Sequence, residues 1–565
     1  HSVSLATPKI DSINKPSINL AYLDYFTEMA EYGANFTRIE IGRTSYLPNW
    51  EHYKNYMGRM KQMWEFDRLI DHFEDLDMYF MSFRHHTELL DGEDWFENPF
   101  KLGLGLDNQD EYFSNPVALE WQDKCLRYMF SRWGYSTKWM CYSYSEVDNW
   151  LRDYYVGDAP DWTYQEEEDD WDIICSIYAD WLYNEKQYVQ TELGYEHVLM
   201  TGTFSTPGNV GDEYAQIFNV CDITGSHKYG VEKSFNYNDR FGEIDKLRTE
   251  NGKPVLFDEV GLSPGKSSAA NDGYVELYCC DPIDFHNEIW ACSFMGSMGT
   301  SLNFWFDRGI HLKQYYMEYE SLSKFFENED ERIWNFTPQK WHDALFDYQN
   351  SHIESYAITS ENKEYALGWV HNASYWWRNM FNLNPCIDEL IEYHTISDPC
   401  IYPDGWVQDG SASDGETYFD EPLVDPFTLT GGAEPIQNSF GSYLNPTFTI
   451  KDLKSSPPGP FKHWYQVDFY YTTSGNFKET QILSTNLAGN LKPHVPNLDD
   501  YNPDYAYKVC CLDFASEEPE GKSMMTGSDQ GQTTDELKEE SPTELLVYPN
   551  PSEGIVNIRC SELIN

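Results

Sequence analysis

The feature that most restricts this chain is a repeated exchange of two hydrophobic periods between residues 23 and 306. Residues 23–32 carry apolar side chains at helical spacing, Gly33 stops them, and 35–42 then alternate as a strand does. The exchange recurs. Helical spacing over 60–76 leads to a strand at 78–83 with Arg84, His85 and His86 as its polar tip. A helix over 116–132 leads to a strand beginning at Trp139, and one over 171–193 to a strand at 197–201. A short helix over 213–218 precedes 221–225, with His227 and Tyr229 beyond its end; 241–249 leads to 253–260, and 284–298 to 301–306. Strands separated by helices pair in parallel, and this many units predict an α/β architecture closed as a (β/α)8 TIM barrel. Seven strands are legible. The first is expected before Pro16, supplied by residues 2–5 or missing from the chain.

The texture changes after residue 325. Residues 345–512 alternate in period two between Gly, Pro, Asn and Asp breaks, which predicts an all-β sandwich. Trp376 and Trp377 are expected in its sheet core. Residues 513–541 are poor in aliphatic side chains and read as a flexible acidic linker, and 542–565 resume as the start of a hairpin domain. The expected units are therefore a lead-in at 1–20, a barrel at 21–335, a sandwich at 345–512, the linker and the final fragment.

The net charge of -55, from 94 acidic against 39 basic residues, excludes a nucleic-acid or anionic-membrane partner because the phosphate term would be repulsive. It suits a secreted or surface-exposed chain. No apolar run is long enough for a membrane span. The chain opens at His1, which points to a processed or trimmed N-terminus. The 12 cysteines show no paired zinc spacing, no metal or cofactor is expected, and Cys125, Cys141 and Cys221 read as buried small hydrophobes. Aromatic residues are abundant, and rings that line a groove stack on sugar faces.

Two predicted strands end on acid. Ser145-Glu146 follows the strand from Trp139, and Asp258-Glu259 closes the strand from Lys253. In a parallel barrel those ends open onto the active site, so Glu146 and Glu259 are a candidate pair for glycosidic bond cleavage. Asp258 and Asp148 are expected to be supporting or solvent-facing.

Residues 20–330 resemble the clan A glycoside hydrolases, retaining enzymes related to family 5. The resemblance is carried by Gly33-Ala-Asn-Phe-Thr-Arg38-Ile, residues 126–135, Ser145-Glu146-Val-Asp-Asn, Asp222-Ile-Thr-Gly-Ser-His227-Lys-Tyr229, Pro254-Val-Leu-Phe-Asp-Glu259-Val-Gly and Gly299-Thr-Ser-Leu-Asn-Phe-Trp305-Phe-Asp, in the family's order. It implies Glu146 as acid/base and Glu259 as nucleophile, with Arg38, His86, Ser145, His227, Tyr229 and Trp305 around the bound sugar. Ser145 stands where the family has an Asn whose amide holds the 2-hydroxyl. That departure keeps open a barrel that binds glycan, as an adhesive or surface protein, without cleaving it. Val547-Tyr-Pro-Asn-Pro-Ser-Glu-Gly-Ile-Val-Asn-Ile resembles the start of a type IX secretion sorting domain of Bacteroidetes, of which only the first part is present. It implies a secreted or cell-surface protein, and a polysaccharide or oligosaccharide as the partner.

Overall fold

The computed structural model describes residues 18–42, 45–85, 92–145, 164–204, 215–230, 252–262, 283–303, 314–329, 335–339, 353–372, 447–458, 461–496 and 503–515, with Leu90, Ile244, Arg248, Ile310 and His311. Six strands form one parallel sheet in chain order: β1 (Phe36–Glu40), β2 (Tyr79–His85), β3 (Trp139–Ser145), β4 (Leu199–Phe204), β5 (Ile223–Gly230) and β6 (Val255–Leu262). A seventh segment lies beside β6. The Leu302 N–H donates to the Phe257 carbonyl at 2.9 Å, the Val260 N–H donates to the Leu302 carbonyl at 2.8 Å, and Asn303 bridges Val260 in parallel.

The wall is thus described for six strands and one bridged segment, short of the eightfold closure expected. The strand expected before Pro16 falls outside the described residues. Each of the seven wall segments nevertheless sends one side chain to a common cluster of Phe36, Met81, Cys141, Leu199, Ile223, Leu256 and Leu302. Such a layer forms only where strands curl around one axis, and it plugs the lumen.

The helices are α1 (Ile18–Glu31), α2 (Met60–Asp75), α3 (Gly92–Glu97), α4 (Pro99–Leu104), α5 (Asp110–Ser114), α6 (Pro116–Trp133), α7 (Tyr164–Gln187), α8 (Ala215–Val220), α9 (Ile283–Ser293) and α10 (Met317–Phe325). Large aromatic side chains seal helices to sheet. Trp139 stacks on Phe130 at 4.6 Å and Phe80 at 5.9 Å and meets the edge of Phe66, while its indole N–H donates to Ser82 at 2.9 Å. The start of α6 follows from its residues: the Asn115 side chain accepts from the Val117 and Ala118 N–H groups, and Pro116 occupies the first turn where no donor is needed. Several helix ends differ from expectation: α1 begins at Ile18 rather than 23, and α8 spans Ala215–Val220 rather than 213–218. α7 begins already at Tyr164 and runs into a π-turn at Tyr188–Glu192. α9 stops at Ser293 rather than running to Met298, because the chain turns at Gly296 with φ +89, where a Cβ would strike Pro338.

The second sheet is antiparallel in the order β11 (Phe477–Ser484), β10 (Lys462–Tyr471), β12 (Asp504–Ala515), β9 (Tyr365–Asn372), β8 (Ile353–Thr359) and β7 (Thr337–Pro338). Its period-two pattern serves two cores. Tyr356, Ile358, Leu367, Trp369 and Ala506 join the main core around the barrel. Ala357, Val370, Tyr465, Val467, Phe469, Tyr507 and Val509 face Phe448, Ile450, Leu453, Leu491 and Val495 instead. The opposing layer consists of two antiparallel bridges, Thr447 to His494 and Ile450 to Leu491. Among the described residues this is one sheet with a thin cover, so the expected two-sheet sandwich is seen only in part; Trp376 and Trp377 lie outside those residues.

Candidate active site

Above the apolar plug the lumen turns polar. Arg38, two residues beyond Phe36 on β1, is fully buried. Its Nη1 donates to Glu259 Oε2 at 2.8 Å and to the Asp258 carbonyl at 3.0 Å, and its Nε lies 3.8 Å from Asp258 Oδ2. The guanidinium rests over the Phe83 ring, 3.6 Å from the centroid. A planar cation can serve several acceptors while stacking on an aromatic face, which suits arginine over lysine here. His227 on β5 is buried as well, with Nε2 3.4 Å from Glu259 Oε2 and 3.8 Å from Asp258 Oδ1.

Two successive residues of a regular strand point to opposite faces, so Asp258 and Glu259 should not share partners. The ladder explains why they do. Pairing between β5 and β6 runs Ser226 to Phe257 and then His227 to Glu259, leaving Asp258 as the extra residue of a β-bulge. A bulge puts two residues opposite one and re-aims their side chains, and here it brings both acids to Arg38 and His227. Asp258 is fully buried, so of the two alternatives expected for it, supporting or solvent-facing, the structure shows the first. A further support lies alongside: Asn303, bridged to Val260, donates from Nδ2 to the buried Glu288 Oε2 at 3.1 Å.

The structure brings three of the sequence-predicted site residues together: Arg38, His227 and Glu259. Ser145 is the last residue of β3, paired with His85 and Thr203. Tyr229 pairs with Gly261 along β5 and β6. For both, only the backbone is described. Glu146, His86 and Trp305 lie outside the described residues, and so does the separation of the two carboxyl groups. Because β3 and β6 run in one direction within one sheet, Ser145 and Glu259 stand at the same edge of the barrel wall. Sequence reasoning left Asp258 as supporting or solvent-facing and passed over Phe83. Two acids in succession within an otherwise apolar strand was the available signal for the first; nothing marked the second. Among the described residues no three His, Cys, Asp or Glu side chains are disposed to hold a metal ion.

No family model matches the chain, and no curated protein matches it. Among solved structures it is similar to the galactosidase domain of an α-galactosidase–sucrose kinase, at 12% identity and TM-score 0.44, over 87% of this chain and 52% of that one. It is also similar to a β-1,4-D-mannanase from Cryptopygus antarcticus, at 12% identity and TM-score 0.35, over 54% of this chain and 82% of that one. A broad-specificity endoglucanase from an uncultured bacterium aligns at 13% identity and TM-score 0.33, over 50% and 76%. The chain spans about half the length of the galactosidase chain. At such low identity and overlap these likenesses carry no weight for the chemistry.

Proposed function

We propose that the chain is a secreted or cell-surface retaining glycoside hydrolase acting on a polysaccharide or oligosaccharide, with Glu259 as nucleophile and Glu146 as acid/base. One observation carries the reading. Glu259 is buried in the C-terminal half of a parallel barrel strand, with a buried arginine at 2.8 Å and a histidine at 3.4 Å on the same carboxyl oxygen. A buried carboxylate so paired is held in one orientation, as an attacking group must be.

In the first step Glu259 bonds to the anomeric carbon while Glu146 gives its proton to the departing glycosidic oxygen. Water, deprotonated by Glu146, then displaces Glu259 and restores both acids. Double displacement requires the two carboxyl groups about 5–5.5 Å apart. The acidic surface and a disulfide at Cys510 suit an extracellular setting.

The test is a panel of mannan, cellulose, xylan and agar-type polysaccharides, with products separated by chromatography and their anomeric form followed by NMR. We expect products that retain configuration, loss of release in Glu146→Ala and Glu259→Ala, and restored turnover of Glu259→Ala by azide as a glycosyl azide of inverted configuration. Undiminished release in either variant would reject the assignment. Ser145 supports a second reading, a glycan-binding barrel without turnover, since a single hydroxyl replaces an amide that donates and accepts. That reading expects retention of the protein in a polysaccharide affinity gel and no products after long incubation.

A further inference from the structure

Asp258 takes no part in the two-carboxylate chemistry, yet it is wholly buried and shares both partners of Glu259. Arg38 reaches its backbone carbonyl at 3.0 Å and its carboxylate at 3.8 Å, and His227 lies 3.8 Å from the other carboxyl oxygen. Leu256 stands in the lumen plug, so alternation already turns Asp258 inward, and the bulge brings Glu259 to the same side. A second buried acid costs desolvation and like-charge repulsion, and anchoring Glu259 to Arg38 and His227 would not need it.

We propose that Asp258 is a positioning residue that holds Arg38 and His227 in place through the covalent stage of the reaction, when Glu259 no longer carries a charge. This rests on the hydrolase reading above. As Glu259 bonds to the anomeric carbon, the glycosidic C–O bond breaks, its electron pair goes to the leaving oxygen, and the proton comes from Glu146. Glu259 passes from carboxylate to neutral ester. Arg38, buried against Phe83, then loses the negative charge at 2.8 Å, and an uncompensated buried cation is costly. Asp258 keeps a carboxylate on the same guanidinium and on His227. When water releases the sugar, Glu259 regains its charge and the original pairing returns.

Three measurements test this. In Asp258→Asn, kcat on substrates with poor leaving groups should fall by about tenfold or more with little change in KM, and Asp258→Glu should recover part of the loss. The acid limb of kcat/KM should move to lower pH in Asp258→Asn, because among Arg38, His227 and Asp258 the one negative neighbour opposing ionisation of the nucleophile is gone. A limb that stays in place, or a KM rise that accounts for the whole loss, would overturn the proposal. The third measurement needs no turnover. In a thermal-unfolding cycle of Asp258→Asn, Glu259→Gln and the double variant, the double should lose more than the two single losses combined, since each single leaves Arg38 one of these two carboxylates. Additive losses overturn the sharing of Arg38 whether or not the protein is an enzyme. Wild-type protein that cleaves no glycan overturns the hydrolase reading, and the cycle still decides whether the two acids share one cation.

Discussion

The barrel and the antiparallel sheet are joined through a buried histidine, and its behaviour with pH can be worked out from its surroundings. His286 on α9 is almost fully enclosed, with Nδ1 at 2.6 Å from Glu318 Oε2 on α10 and Nε2 at 2.8 Å from Asp504 Oδ2 on β12. Asp504 also accepts from the Trp369 indole N–H at 3.0 Å and from Thr472, and its ionised form is further favoured by His371, which sits against Glu354. Burial alone pushes His286 down; the charges on Asp504 and Glu318 and their hydrogen bonds outweigh it and hold the imidazole well above its ordinary range. Burial likewise pushes Asp504 up, and His286 and Thr472 reverse that and lower it.

The signs follow. A histidine whose folded value is raised contributes stability that is complete below about pH 6.5 and is lost as pH rises through the folded value, at about 1.4 kcal/mol per unit of difference. An aspartate whose folded value is lowered contributes stability that is present above about pH 3.9 and lost as pH falls through the folded value. Replacing His286 with Gln removes the cation and leaves two carboxylates facing each other. Breaking a buried ion pair on one side costs about 3–5 kcal/mol, and the partial exposure of Glu318 places this case at the lower end.

The assay is Tm of wild type and His286→Gln from pH 5 to 10. The gap between them should be on the order of 2–4 °C at the acid end and should shrink steadily above about pH 6.5. A gap that stays constant or widens to pH 10 would refute a protonated His286 in the folded protein.

Other outcomes are expected. Arg38→Met leaves the carboxylates of Asp258 and Glu259 buried without this guanidinium and should cost about 3–5 kcal/mol by denaturant unfolding, with loss of any glycan-cleaving activity. Gly368→Ala on β9 would set a Cβ 2.2 Å from the Tyr507 ring, so it should destabilise by roughly 1–3 kcal/mol or more, read as a lowered Tm with unchanged far-UV circular dichroism. Burial pushes the Cys221 thiol up to about 12, against the smaller pull of Lys253 and Lys186, so alkylation at mildly alkaline pH should label it only after denaturant is added; rapid labelling of native protein would contradict its burial.

Much of the wall was legible because its signals are local. Six strands overlap the stretches where alternation placed them, although β5 runs on to Gly230, so His227 and Tyr229 lie within it rather than beyond its end, and the seventh segment is bridged at Asn303 within the predicted 301–306. Helix starts such as Pro116 were written in capping chemistry. Helix ends were read less well, because α9 stops where Gly296 meets Pro338, a residue far along the chain that no local pattern reveals. The short helices α3 to α5 went unread, since each is too brief to show a period.

From its own residues the chain determined the exchange of strand and helix periods, the acid pair within β6, which runs on to Leu262 rather than ending on acid, and the arginine two places beyond Phe36 on β1. Tertiary structure alone decided which acids meet that arginine, because a bulge exists only relative to the partner strand, and the register that turns Glu259 to the same side as Asp258 belongs to β5 as much as to β6. It also decided that one face of the second sheet is spent on the barrel and that His286 is clasped by Asp504 from more than two hundred residues away. Period-two alternation states that a strand has two faces; only packing assigns each face a neighbour, since apolar burial has no direction of its own.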